Sequence, residues 1–321
     1  MAITIALAGD TMLGRGVAEE IAAFGPHDLF SAGVREVFRE ADLALVNLEC
    51  CVSGRGRRWE APGKPFHFRA PPAAAETLTD LGVDCVTLAN NHALDYGPDA
   101  LADTLDVLRR AGIRTVGAGE DLERAREPAV LEAGGMRVAV LGVTDHPADF
   151  AAGADRPGVA RADLEGGVPG FLTEEIRRLR GENDAVLVMP HWGPNMIPAP
   201  LPYVRRAAGR LVDAGATLVA GSSAHVFHAV AWPVVFDMGD LIDDYAVDAL
   251  LRNDLGLLFL VTLDAAGPSR IEGVPIRLDF CRTRLAGGAD RAWIIDRFAE
   301  ACAAFDTPVT VRGDRVAIER P

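Results

Sequence analysis

The chain holds 321 residues, 49% hydrophobic and 24% charged, a composition that belongs to globular proteins and excludes a disordered chain. A formal net charge of −14 and a pI near 4.9 oppose phosphate backbones and anionic lipid, so neither nucleic acid nor a membrane surface is an expected partner. An anionic small molecule or polymer is still an acceptable substrate where a bound cation reverses the local field.

The N-terminal run Ile3 to Ala8 leads straight into Gly9-Asp10 without a basic leader, and it reads as a first buried strand and not a signal peptide. Leu43 to Leu48, Cys85 to Ala89, Arg137 to Val143, Ala185 to Pro190 and Leu218 to Ala220 are further short runs, rich in Val and Leu and bounded by Gly, Asp or Asn. Amphipathic segments lie between them: Ala73 to Leu81, Pro98 to Ala111, Thr173 to Arg180 and Tyr203 to Ala214. Gly112 and Gly215 are their natural stops. This alternation predicts an α/β architecture. From Gly256 the texture becomes a strand, a turn and a strand, then a helix over Asp290 to Phe305 and a hairpin turning near Gly313. The reading is a single domain over 1–321, with 256–321 as its β-rich and helical C-terminal extension.

The five cysteines are odd in number and lack CxxC spacing, which fits buried free thiols in a reducing compartment. No apolar run is long enough to span a bilayer. The expected location is the cytoplasm; the oligomeric state is left open.

The informative pattern is positional. Apolar runs end in polar residues at Asp10 (ALAGD), Glu49 (LVNLE), Asn91 and His92 (TLANNH) and His191 (LVMPHWG), and LVAGSSAH reaches His225 shortly after its strand. Ligands collect beyond the carboxyl ends of strands in open α/β sheets. Each residue has an ordinary alternative: a turn or cap for Asp10 and Asn91, a solvated strand end for Glu49, a core imidazole for His191. Repetition of the same placement at five strand ends favours one shared site.

Carboxylates, an amide oxygen and imidazoles make a mixed donor set suited to one or two divalent transition-metal ions, Mn, Fe or Zn. Asp10, Glu49, Asn91, His191 and His225 are the expected ligands, and a carboxylate such as Glu49 can bridge two ions. His92 is the candidate general acid, and Arg15 the candidate anion holder beside it. The reaction expected is hydrolysis by a metal-activated water, most simply of a phosphoester. A non-hydrolytic accessory or binding role and cleavage of an amide or γ-glutamyl bond are the alternatives.

GDTMLGR, NLEC, LANNHALDYG, HWG and DMGDLIDDY together resemble the bacterial capsule-synthesis, or CapA-type poly-γ-glutamate biosynthesis, family, related to calcineurin-like metallophosphoesterases. The resemblance runs from Ile3 to Asp244. It implies a four-layer α/β/β/α sandwich with metal at the strand ends, Asp10 as first-motif ligand, Glu49 as bridging carboxylate, Asn91-His92 as the NH motif, and His191 and His225 as the later histidines. Two departures stand out: Met12 occupies the position of an imidazole common in related phosphoesterases, and GSSAH puts Ser222 and Ser223 where the family carries histidine. One ion, a weakly held ion or none are all compatible with that change.

His228, Asp240, Asp145 and His146 are possible extra ligands or pocket residues. The Gly/Pro-punctuated basic loop RGRRWEAPGKPFHFRAPP offers Lys64, the only lysine, and Arg69 as substrate-binding residues.

Overall fold

The computed structural model describes residues 2–321. Its first strand, β1 (Ala2–Thr11), is buried on both faces: Ile3, Ile5 and Leu7 enter one core while Ala6 and Ala8 enter another. Period-2 alternation of two apolar sets is what a strand covered on both sides requires. Beside β1 lie β2 (Leu43–Leu48), β3 (Cys85–Thr87) and β4 (Arg114–Val116), all parallel. They belong to a sheet of ten strands.

A second sheet of six strands faces the first. It includes β5 (Ala129–Ala133), antiparallel to β6 (Met136–Thr144), and then β7 (Ala185–His191) and β8 (Leu218–Ala220) in parallel. Leu45 of β2 shares a core with Val140 and Val188 of the second sheet. The outer face of the first sheet is covered by α1 (Arg15–Phe24), α2 (Ala32–Arg39), α3 (Ala74–Asp80) and α4 (Gly97–Arg110), through Val17, Phe38, Leu78 and Leu101. The second sheet is covered by α5 (Gly170–Glu182) and α6 (Pro202–Asp213), through Ile176 and Leu211. The result is the four-layer α/β/β/α sandwich expected.

The C-terminal extension does not stand apart. After β9 (Asp240–Ile242), β10 (Leu255–Asp264) pairs antiparallel with residues 2–7 of β1, and β11 (Gly267–Asp279) continues the sheet. The expected C-terminal helix is α7 (Gly288–Ala303), whose Ile294, Phe298 and Cys302 join the core between the sheets. The hairpin at Gly313 adds two further strands to β11's far edge.

One junction positions the site. β10 stops pairing with β1 at Leu7, and β9 takes over the vacated edge in parallel, with Asp10 opposite Asp240 and a bulge before Thr11. On the other edge Asp10 lies opposite Asn47 of β2. The approach of the two segments is so close that a Cβ on Gly9 would stand 1.9 Å from the Gly239 carbonyl oxygen. The glycine of the Gly9-Asp10 pair is therefore a spacing requirement, and not a mere turn residue. All five cysteines are free and buried, and no described helix is long and apolar enough to cross a membrane.

Candidate metal centre

The C-terminal ends of β1, β2, β7 and β8 bring Asp10, Glu49, His191 and His225 together. One donor atom each from Asp10, Glu49 and His225 lies within 4.8 Å of the others, and all three residues are buried. His225 Nδ1 is 3.3 Å from Asp10 Oδ2, 4.0 Å from Glu49 Oε2 and 2.9 Å from Asp240 Oδ1. His191 Nδ1 is 3.8 Å from Asp10 Oδ1. His225 holds a left-handed backbone, φ 59°, and Ser223 nearby has φ 122°; non-glycine residues reach these regions at an energetic cost that surrounding contacts must support.

A network that the strand-end pattern did not reveal supports these groups. The Asn47 amide donates to Asp10 Oδ1 at 2.6 Å and lies 3.3 Å from His191 Nδ1, and Asn90 donates to Asn47 Oδ1 at 2.9 Å. Ser222 Oγ is 3.1 Å from His191 Nδ1, so that nitrogen is occupied and Nε2 is left open. His92 Nδ1 is 2.5 Å from Asp95 Oδ2, and Nε2 lies 3.9 Å from Glu49 Oε1. Phe68 stacks on the His92 ring at 3.9 Å, and Tyr245 meets Glu49 Oε2 at 3.5 Å. Asn47 was hidden inside an apolar strand. Asp95 was visible in the spacing NHALD, three residues beyond His92, but reads equally as turn chemistry.

The charge balance is the decisive electrostatic fact. Asp10, Glu49, Asp237, Asp240 and Asp243 are all buried. Burial, aided by the charge of Asp10, pushes the Glu49 carboxyl well above its ordinary range, and burial likewise raises Asp240 and Asp243 and brings Asp237 to about 8. Burial also works against ionisation of Asp10, yet His225, His191 and the Asn47 amide hold it below its usual value. His225 is the reverse case: burial disfavours its charge, but Asp240 and Glu49 raise it well above an ordinary histidine. The centre is thus crowded with carboxyl groups whose ionisation is opposed, and short of cations to relieve it.

A divalent ion fits this donor set. Glu49 Oε1, Asn91 Oδ1, His191 Nε2 and Asp240 Oδ2 are buried without hydrogen-bond partners, and such orphaned groups are rare and costly. Oxygen and imidazole donors suit Mn, Fe or Zn, and the ion's charge would take over the compensation that a protonated His225 supplies alone. The departures from the expected pattern are each occupied: Met12 is fully buried with its sulfur accepting from Gly14 N at 3.1 Å, Ser222 Oγ lies 3.1 Å from His191 Nδ1, and Ser223 Oγ donates to the Gly193 carbonyl at 2.9 Å. None of the three offers an imidazole to a cation.

The secondary candidates separate. Asp240 joins the centre, whereas His228 Nε2 is taken by the Ile197 carbonyl at 2.9 Å. Arg15 is paired with Asp244 at 2.8 Å, and its guanidinium lies 5.4 Å from the Phe68 ring centre and 5.6 Å from that of Tyr245, so it borders the centre through the aromatic residues that touch it. Lys64 does not present a free charge to a substrate. Its ammonium is bound to Asp95 Oδ1 and the Asn91 carbonyl, each at 2.7 Å. Arg69 lies over Tyr96 and donates to the Arg55 carbonyl. Asp145 and His146 are bonded to each other, and Asp145 also accepts from Tyr203 and Gly193. They line a cleft of about 480 Å³ that also includes Asn91 and Asn195.

The model of the bacterial capsule synthesis protein PGA_cap family matches residues 4–245, the span that contributes every ligand candidate. The chain belongs to this family. Among relatives of the PGA_cap chain, a probable polyglutamine synthesis accessory protein of Mycobacterium tuberculosis is 30% identical over 98% of this chain and 95% of its own. The PGA biosynthesis protein CapA of Bacillus subtilis is 28% identical over 85% of this chain and 71% of its own, and the capsule biosynthesis protein CapA of Bacillus anthracis is 30% identical over 71% and 55%. A solved 5′-nucleotidase of Candida albicans aligns with TM-score 0.45 and 12% identity, covering 95% of this chain and 59% of that one. A hypothetical protein of Thermus thermophilus aligns with TM-score 0.44 and 16% identity, covering 88% and 96%.

Proposed function

We propose that this protein is a metal-dependent hydrolase, with a phosphoester as the substrate class the centre suits best, acting in capsule or poly-γ-glutamate production. The observation that carries the reading is the buried group of Asp10, Glu49 and His225, in which Glu49 Oε1 is unpartnered, with His191 Nδ1 3.8 Å from Asp10 and its Nε2 unpartnered. A group of this kind is costly as a structural element and useful as a cation site. Asp10, Glu49 and His225 would hold one ion, and Asn91 and His191 would be candidate donors toward a second. When bound, the ion supplies Lewis-acid activation of water and a positive field for a phosphoryl oxygen.

The chain's own residues then handle the proton. Asp95 accepts from His92 Nδ1, which fixes the tautomer that leaves a lone pair on Nε2. Burial lowers His92 to about 4 despite Asp95, so at neutral pH the ring is uncharged. Nε2 would accept the proton that the attacking water releases and return it to the leaving oxygen, a refinement of the simple acid expected from sequence. Lys64 holds Asp95 and the Asn91 backbone in place.

The absence of imidazoles at positions 12, 222 and 223 supports a second reading, an accessory role with a retained ion and no turnover. The names of relatives in synthesis pathways agree with it. Elemental analysis of fresh protein with a phosphoester and γ-glutamyl peptide panel separates the two. Metal content and phosphoester cleavage that fall together in His191→Ala support the hydrolase; metal without turnover of any substrate supports the accessory role; activity surviving in metal-free protein sinks the proposal.

A further inference from the structure

The cleft beside the centre contains an arginine whose side chain nothing in the fold employs. Arg161 lines the cleft with Asn91, His146 and Asn195. Its Nε is buried without a hydrogen-bond partner, and no carboxylate comes within ion-pair distance of its guanidinium among the described residues. This is unusual in a chain of net charge −14, and more so because Asp145, Asp163 and Glu165 line the same cleft. Asp145 is already taken by His146, Tyr203 and Gly193, and Asp163 accepts from Gly166 N at 3.1 Å. A half-buried guanidinium left without an anion is a costly arrangement unless a ligand completes it.

Its backbone is not free to wander. Arg161 bridges Thr144 at the end of β6, and Ala162 N donates to the Thr144 carbonyl at 2.8 Å. Thr144 in turn is the register partner of His191 on β7. Arg161, Thr144 and His191 are therefore successive neighbours across three parallel segments, which sets the Arg161 backbone about 10 Å from that of His191 at ordinary strand spacing. The cleft between them reaches the ligand candidates at two points. Asn91 is one of its lining residues, and Asn195 Nδ2 is 3.1 Å from His225 Nε2. His146, held through Nδ1 by Asp145, has its ring centre 5.4 Å from that of His191 and lies between the two ends.

We infer that Arg161 is a specificity-determining residue that binds a second anionic group of the substrate, a carboxylate or a phosphate, distal to the bond that is cleaved. A planar guanidinium recognises either anion through paired hydrogen bonds. This deepens the proposed hydrolase and rests on it for the location of the reacting end. Through Arg161 an acidic protein would select an anionic substrate by a group beyond the reacting one.

The test compares a phosphomonoester with a carboxyalkyl tail, its neutral amide analogue and an alkyl bisphosphate in the metal-loaded protein, for wild type, Arg161→Gln and Arg161→Lys. The expected result is at least a tenfold preference in kcat/KM for an anionic tail, carried mainly by KM. It should be lost in Arg161→Gln and partly restored in Arg161→Lys, with metal content equal in all three. Whichever anionic tail wins assigns carboxylate or phosphate. No preference in wild type, or a preference that survives in Arg161→Gln, overturns the inference. If no ester is cleaved, the hydrolase reading has failed on its own, and calorimetric titration with glutarate and the bisphosphate decides. Binding weakened tenfold or more in Arg161→Gln supports the role; equal binding, or none in wild type, overturns it.

Discussion

His92 shows how a single contact sets a residue's chemistry. With Nδ1 held by Asp95 at 2.5 Å, the ring is fixed in both orientation and tautomer, and Phe68 stacking blocks its rotation. Asp95→Asn keeps the size of the side chain but removes the charge that fixes the tautomer. Activity is expected to fall about 10- to 100-fold, the usual cost of losing an orienting partner, while bound metal per chain stays unchanged. Equal loss of both would mean that Asp95 maintains the fold of the centre and not the tautomer. His228 makes a separate prediction. Burial lowers its pKa from the ordinary 6.5 to about 4, so the folded protein keeps it neutral while the unfolded chain takes up a proton. Stability from this residue is therefore complete above pH 6.5 and is lost as the pH falls toward 4, at most about 3 kcal/mol. His228→Gln retains a donor for Ile197 without titrating, so denaturation midpoints measured from pH 7 to 4 should fall less steeply than in wild type. Identical slopes would show that His228 does not titrate in that window.

At the scale of elements, the junction where β9 replaces β10 against β1 explains why some of the site was legible and some was not. Asp10, Glu49 and His191 end or follow apolar runs, and a local pattern finds them because a strand's end is written in consecutive residues. Asp240 could be named only as a possible ligand, since its place beside Asp10 depends on a pairing across 230 positions. Asn47 escaped because one amide inside LVNL looks like an interruption of an apolar strand until its partners are known. The helices α1 and α2 also went unread. α1 starts at Gly14 without a side-chain cap, and the eight residues of α2 are too few for a firm period. The four layers themselves were carried by the resemblance and agree with the two-sided burial of β1. Gly9→Ala tests the junction. A methyl group 1.9 Å from the Gly239 carbonyl must push β9 away and carry Asp240 with it. The expected outcome is a loss of about 2 kcal/mol or more, as for an overpacked core, together with weakened metal retention; a stable variant with full metal content would show that the junction is pliant.

At the scale of the molecule, the centre trades stability for ligand binding. Five buried carboxylates gather where both sheets end, with His225 as the internal counter-charge, while Lys64 and Arg15 are paired with Asp95 and Asp244 at its border. Without an ion the folded chain must keep several of these groups protonated or tolerate their repulsion; with one, the same groups become the reason to stay folded. A divalent ion at a hundred times its dissociation constant adds about 2.7 kcal/mol, which in a chain of this size raises Tm by roughly 5 °C. Glu49→Gln distinguishes this origin from simple damage. It removes a charge from a crowded site, so the chelated variant should melt at or above the temperature of chelated wild type, yet gain nothing when Mn, Fe or Zn is restored. A chelated variant that melts well below chelated wild type would mean that Glu49 is a structural carboxylate, and the accumulation of acids at the strand ends would need a cause other than a cation.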